Sequence, residues 1–476
     1  MKRLKLFLSN FIIYGLSGAF SKLVPLIMLP IVTRIMTNTY YFGLNDLSTS
    51  FVSFGSAVAI MGMYDAMFRL FFDKDDEQFK KDICSSALAF TLMTSIIVFS
   101  ILLIFKHQFS RLFFDSPHYT NLVFFTALSI LVGSTDSIIA APTRMQNKRT
   151  IYLITNTLSP IISYTVSIPL LLRGMYVIAL PLSSVLAAVS KLVIFSALNK
   201  KWFSIKNINT LYIKHMLKIA LPLLPNFLVY WVFNSCDRLM ISKLLGTEYT
   251  GIYAVGAKVG QISNLIYIAF AGGWQYFAFS TMKDDDQVQM TSNIFEYLGV
   301  ISLSAGVVMA VCSKAIFKII FTGDYVAGYI VAPYLFLAPL LQMLFQIISN
   351  QLLIIKKTWP NLIILSGGAI LNILINFILI PLIGIEGAAI ATLFGYACSL
   401  FVGTVVISKM YLIMVSNKFF IAVILTFIYF VAWRLFFKDL FILSMLITLV
   451  LLSAYFFLYR EDLNAFINKF KKKGAK

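Results

Sequence analysis

Charge is scarce in this chain. Only 12% of its 476 residues are Asp, Glu, Lys or Arg, about half of the ~25% found in an ordinary soluble domain, so water is not its main solvent. Reactive side chains are scarce too. Cys84, Cys236, Cys312 and Cys398 lie far apart, mostly inside apolar runs, without the spacing of a disulfide framework or a metal knuckle, and they read as small packing residues. His107, His118 and His215 fall in loops with no HExxH or carboxylate arrangement around them, so no metal ligand set is expected. No GxxxxGK[ST] run occurs, which excludes an ATPase built on that loop. The alternation of a β-strand is also missing, which argues against a barrel.

What the chain has is apolar length. Hydrophobic residues make up 59% of it, mean hydropathy is +0.87, and the apolar residues come in runs of roughly 18 to 25, each able to cross a ~30 Å hydrocarbon core as a helix. Spans are expected near residues 9–33, 41–63, 83–105, 120–141, 150–172, 175–197, 219–241, 249–277, 290–318, 325–354, 359–382, 385–408, 418–436 and 439–458, about fourteen in all. The fold class is therefore all-α, a polytopic membrane protein. The basic N-terminus leads into an apolar stretch that continues to about Pro30 without a small-residue cleavage site, as in a retained first span.

The net charge of +19 belongs to topology and not to nucleic acid, because the chain lacks a soluble surface on which to gather it. About 26 of the 39 basic residues fall in loops of one parity, from Lys2, Arg3 and Lys5 through Arg144, Lys148 and Arg149 to the tail beyond Arg460, and about 10 fall on the other. Lys22, Lys191 and Lys258 lie within spans. Both termini are thus expected in the cytoplasm, with an even number of spans.

The two halves repeat. Thr33-Arg34-Ile35-Met36 with Phe42-Gly43-Leu44 aligns with Ser242-Lys243-Leu244-Leu245 and Thr250-Gly251-Ile252. Asn147 to Thr150 aligns with Ile355 to Thr358, and Ile168-Pro169-Leu170 with Ile380-Pro381-Leu382. Six spans precede the second copy, so the copies are parallel repeats about an axis along the membrane normal. The expected organisation is an N-lobe of six spans (1–199), an amphipathic cytoplasmic connector (200–218), a C-lobe of six spans (219–410), and two added spans with a basic tail (411–476). Two such lobes, related by pseudo-two-fold symmetry, are the plan of an alternating-access transporter with its site near the midplane.

Several segments carry a family resemblance: Leu29-Pro30-Ile31-Val32-Thr33-Arg34, Met61 to Arg69, Leu221-Pro222-Leu223-Leu224-Pro225, Asp237-Arg238 through Gly246, Gly251-Ile252-Tyr253, Ala257-Lys258, Asn372, Asn376 and Gly387 to Thr392. Together they resemble the polysaccharide flippases (O-antigen, capsule and teichuronic acid type) of the multidrug/oligosaccharidyl-lipid/polysaccharide (MOP) exporter superfamily. The resemblance covers essentially the whole chain. It implies translocation of an undecaprenyl-pyrophosphate-linked glycan from the cytoplasmic to the outer leaflet of a bacterial inner membrane, by lobes rocking about a cationic cavity, alongside glycosyltransferases and a polymerase of the same pathway.

An ionisable side chain at membrane depth costs roughly 2.5 to 3.5 kcal/mol on insertion scales, so each marks a candidate site. Lys22, Arg34 and Lys258 are the cations suited to a pyrophosphate, whose charge-assisted hydrogen bonds strengthen at low dielectric. The plainer alternative is snorkelling, or pairing with Asp46 or Asp237. Asp46, Asp65, Asp136 and Asp237 are candidates for cavity, gating or ion coupling with Na⁺ or H⁺, and Arg238 for a gate beside Asp237. Asp65 and Arg69, at i and i+4, suit a structural ion pair. Asp136 suits either a cavity or interhelical hydrogen bonding. Gln342, Gln346 and Asn350 share one helical face, fit for a sugar path or for helix adhesion. Rival functions are a lipid II-type or drug/cation antiporter of the same superfamily, and a membrane-embedded polymerase or ligase. The short outer loops disfavour the last, and no catalytic residue is expected.

Overall fold

The computed structural model describes residues 23–357 and 359–474, and it leaves undescribed the side chains of Arg149, Gly272, Tyr276, Ser280 and 463–474. Its elements are α1 (Leu23–Ile35), α2 (Thr39–Ile60), α3 (Met63–Leu70), α4 (Glu77–Ile104), α5 (Lys106–Phe114), α6 (Thr120–Met145), α7 (Arg149–Leu172) and α8 (Ala179–Asn199). Then follow α9 (Thr210–Ala220), α10 (Leu224–Trp231), α11 (Asp237–Leu244), α12 (Thr247–Gly260), α13 (Asn264–Ser280) and α14 (Gln287–Ile320). The last are α15 (Ala332–Ile354), α16 (Trp359–Ile383), α17 (Ile385–Lys409), α18 (Asn417–Ala432) and α19 (Phe441–Gly474). Among the described residues 12 helices are long and apolar enough to cross a membrane, or 13 if the bent pair α2 and α3 counts as one span. The fold is all-helical, as the apolar runs require. The expected first span, 9–33, lies largely outside the described residues, and only its end is seen, in α1.

Contacts divide the chain into two compact units. The first comprises 1–255, 321–325 and 369–391, and the second 256–320, 326–368 and 392–476.

In the first unit, α2 is started by Asn38, whose side chain accepts from the Tyr40 amide at 2.9 Å. It stops where Met61 and Gly62 both turn left-handed, at φ 49° and 75°. Gly62 takes that backbone at no steric cost, and α3 leaves at a 47° bend. Farther back, α2 meets α12 backbone to backbone: a Cβ on Gly43 would lie 2.1 Å from Thr247 O, and one on Gly251 would lie 2.0 Å from Thr39 O. The two glycines that the repeat aligns therefore touch each other reciprocally.

The connector departs from expectation. Residues 200–209 do not continue a surface helix. They form two short 3₁₀ turns, Lys200–Trp202 and Ile205–Asn207, because Trp202 is buried against Phe71 at a centroid distance of 5.4 Å. The hydroxyls of Ser85 and Ser86 also accept the Ser204 and Asn209 amides, at 3.0 and 2.9 Å. Asn209 then caps α9 by accepting from Leu211 N at 2.9 Å, and that helix runs on into the next membrane-length segment.

In the second unit, buried Glu296 on α14 accepts from Ser416 N at 2.5 Å and Ser416 Oγ at 2.7 Å, fixing the start of α18. Hydroxyl pairs Thr426–Tyr455 (2.5 Å) and Tyr429–Thr448 (2.7 Å) join α18 to α19. Such paired hydroxyls are what apolar helices need where no water can satisfy a polar group.

Candidate functional site

Helical spacing builds a polar cavity in the first unit. Asp136, Ala140 and Arg144 form one stripe of α6, Tyr152 and Asn156 one stripe of α7, and Lys191 and Phe195 one stripe of α8, each at four-residue steps. With Tyr64 and Asp65 at the start of α3 they enclose about 350 Å³, near the lower end of the ~300–1,000 Å³ usual for small-molecule sites. Lys191 Nζ lies 3.1 Å from Asp136 Oδ2. Asp136 is only 6% exposed, and its other oxygen, Oδ1, has no hydrogen-bond partner among the described residues. Arg144 donates to Tyr64 Oη at 3.1 Å, and its guanidinium stands 6.0 Å from the centre of the Tyr152 ring. The Asn156 amide donates to Tyr152 O at 2.8 Å.

Of the acids singled out in the sequence, the fold thus brings Asp65 and Asp136 to one cavity. The expected Asp65–Arg69 pair does not form: among the described ion pairs there is none between them, and Arg144 is the cation whose field reaches Asp65. The eight-residue α3 turns Asp65 toward the cavity and leaves Arg69 exposed outside it. Sequence reasoning passed over Lys191 and read Arg144 only as a topology marker. The rule that singled out Lys258, a cation inside an apolar run, selects Lys191 equally well. Nothing in sequence spacing alone gives Tyr64, Tyr152 or Asn156.

A second group of charges in the first unit is closed. Before Asp237 the helix widens into a π-helical turn, Val232–Cys236, a distortion frequent at functional positions. There Arg238 Nε donates to Asp46 Oδ2 at 2.6 Å and Nη1 to Asp237 Oδ1 at 3.2 Å, while Nη1 also reaches Asn234 O. Tyr253 Oη donates to Asp237 Oδ2. Asp46, Asp237, Arg238 and Tyr253 are all buried. Nearby, Trp231 Nε1 donates to Ser50 O at 3.0 Å, and Lys243 pairs with Asp115. The sequence named Asp46, Asp237 and Arg238 separately, and the fold makes them one network.

Among the described residues, neither Arg34 nor Lys258 lines the cavity. Lys22 is outside the described residues. Arg34 is exposed near the end of α1. Lys258, in the second unit, is the one exposed side chain in the otherwise buried stretch 251–260 of α12. Gln342 and Gln346 are half-buried positions on mostly buried α15, and Gln346 donates to Asn350 Oδ1 at 3.1 Å. They share a face, as their spacing requires.

Comparison with solved structures shows the fold shared with transporters. A structure described as the lipid II flippase MurJ in an inward closed conformation matches at a TM-score of 0.71 and 18% identity, covering 95% of this chain and 100% of that one. An inward-facing multidrug resistance MATE family transporter of the MOP superfamily matches at 0.62 and 12%, covering 83% and 98%. A MOP superfamily transporter from Pyrococcus furiosus matches at 0.63 and 11%, covering 84% and 95%. No curated protein matches the chain by sequence. The family described as polysaccharide biosynthesis protein matches residues 31–328, well over half of the chain, and on that match the protein belongs to the polysaccharide biosynthesis family.

Proposed function

We propose that the protein is a flippase that carries an undecaprenyl-pyrophosphate-linked oligosaccharide from the cytoplasmic to the outer leaflet of a bacterial inner membrane, for cell-surface polysaccharide. One observation carries this reading: a polysaccharide-biosynthesis chain with a transporter fold places two carboxylates and two cations around a cavity built on membrane-length helices. Buried ionisable groups on such helices are kept where they serve a substrate or an ion. The MurJ-like fold supports a lipid-linked cargo, and the family match supports a glycan. The protein is a transporter, not an enzyme.

In this reading both termini are cytoplasmic, following the loop charges. The lobes 1–199 and 219–410 exchange access, with 200–218 as their connector and 411–476 as an addition. Lys22, Arg34 and Lys258 hold the pyrophosphate, since doubly charged phosphates want several donors at low dielectric. Asp46, Asp237 and Arg238 latch one end of the pathway, and Gln342 and Gln346 offer hydrogen bonds along it. An ion gradient of Na⁺ or H⁺, the membrane potential or downstream consumption of the glycan drives transport. Glycosyltransferases and a polymerase supply and consume the cargo.

The test is a cell that depends on this chain for its surface polymer. With Lys22→Ala and Lys258→Ala, surface polymer falls and lipid-linked glycan accumulates in the inner leaflet. Unchanged polymer at normal protein levels would remove the headgroup assignment.

A further inference from the structure

We propose that the connector between α8 and α9, with the outward face of α9, is a docking surface for the anionic phospholipid headgroups of the membrane in which the protein sits. This adds a partner outside the transport pathway and does not depend on which cargo is carried.

The charge here is one-sided. Between Asp136 and Asp237 the chain has no Asp or Glu, and Lys200, Lys201, Lys206, Lys214 and Lys218 all fall within that stretch. All five are exposed, and none takes part in an ion pair among the described residues. The turn from α3 into α4 packs against the connector and brings acids, but Lys80 holds Asp75, Lys81 holds Glu77, and Asp76 caps α4. Residues 69–82 and 200–218 together keep a net charge of +4 with His215 neutral. A surface of that sign attracts phosphate headgroups.

Apolar side chains stand uncovered among the lysines: Ile205, Leu211 and Ile208 are 88%, 71% and 42% exposed. On α9 the outward face carries Leu211, Lys214 and Lys218 at three- and four-residue steps, away from buried Met216 and Ala220. The connector joins two membrane-length segments, Ala179–Trp202 and Thr210–Leu244, so it lies at a membrane face. There the apolar ends enter the boundary of the acyl chains while the ammonium groups reach the phosphates. A nucleic acid would use the lysines and leave the isoleucines bare, whereas a lipid surface uses both. The backbone is also set in advance. Trp202 packs on Phe71, Tyr212 stands edge-on to Phe79 at 5.4 Å, and Asn207 Oδ1 accepts from Gln78 Nε2 at 3.2 Å. The buried side thus holds the charged side in one arrangement, which lowers the ordering cost of binding.

The experiment uses full-length protein in detergent, titrated by native mass spectrometry with phosphatidylglycerol, with zwitterionic phosphatidylethanolamine of the same chains, and with soluble glycerol phosphate. Phosphatidylglycerol is expected to bind about tenfold tighter than phosphatidylethanolamine, and glycerol phosphate not to displace it. In the triple variant Lys206→Gln, Lys214→Gln and Lys218→Gln the advantage falls to about twofold, while phosphatidylethanolamine binding stays. Lys214→Gln with Lys218→Gln gives a smaller loss and serves if the triple variant does not fold. Lys106→Gln with Arg111→Gln, exposed basic residues on α5, keeps the full advantage. Equal binding of the two lipids by the unaltered protein, or a full advantage in the folded connector variants, overturns the proposal. An equal loss in the α5 variant overturns it too, because net charge and not this surface would then attract the lipid. Displacement by glycerol phosphate overturns it in favour of a soluble phosphate. The flippase reading stands whichever result is found.

Discussion

The two charged groups of the first unit use the same chemistry to opposite ends. Around Arg238 the carboxylates are closed on buried donors: Asp46 Oδ2 and Asp237 Oδ1 share the guanidinium, and Tyr253 closes the remaining oxygen of Asp237. Around Asp136, a residue lining the 350 Å³ cavity, the pairing stops halfway, with one oxygen on Lys191 and one buried without a hydrogen-bond partner among the described residues. A saturated network holds helices together, and a half-paired one beside a cavity is costly to keep buried. The number of charges does not tell lock from site, since the open group has more of them. The unmet valence does.

The contrast can be broken most directly at Arg238. Arg238→Ala strands two buried carboxylates, and removing one partner of a buried ion pair typically costs ~3–5 kcal/mol. A large fall in the apparent melting temperature of the solubilised protein is expected, and an unchanged melting curve would show that the network is not a structural lock. Next comes the close crossing of α2 with α12. Gly251→Val places methyl groups on Thr39 O, an overpacking of about 1–3 kcal/mol or more, read in the same melt. Equal stability of wild type and variant would mean that the helices separate at little cost.

At the open group the balance reverses. Asp136→Asn keeps the shape and loses one charge, so we expect a stability change of about 1 kcal/mol with a fall of about tenfold in delivery of surface polymer. Lost stability with intact delivery would make Asp136 a second lock. Smaller still is the effect of Asp439, which lies between the last two spans of the second unit. Lys314 and Tyr329 donate to Asp439 Oδ1 at 2.5 and 3.0 Å, and the Lys314 bond holds the Asp439 carboxyl below the usual carboxylate range. A depressed folded value means the stabilisation is present above the ordinary value of about 4 and is lost as pH falls through the folded value. Asp439 is half exposed, so screening keeps the effect under about 1 kcal/mol. Asp439→Asn should lower stability at neutral pH by under about 1 kcal/mol, leave the acid end unchanged, and so flatten that acid limb slightly. Arg69→Gln is expected to change nothing beyond ~0.5 kcal/mol, because its pairing with Asp65 is not formed.

Apolar run length gave the membrane-length helices and most of their ends to within a few residues, because crossing a hydrocarbon layer forces the backbone to satisfy itself within each segment. The repeat matched Gly43 with Gly251, and the fold puts them in contact, since equivalent segments that meet need room at equivalent places. The cost of burying charge pointed to Asp46, Asp136, Asp237 and Arg238 one at a time. What it left out was partnership. Lys191 lies 55 positions from Asp136 and Arg238 lies 192 from Asp46, and no local spacing encodes pairings made by helix packing. The i,i+4 rule offered Asp65 to Arg69, and the bend at Gly62 gave it to the cavity instead. Composition and hydrophobic period, both local, thus decided that this chain lives in a membrane as a bundle of helices. Which charges close on each other, and which gather at a cavity, was decided only by long-range packing, because a carboxylate's partners are set by distance in space and not by order along the chain.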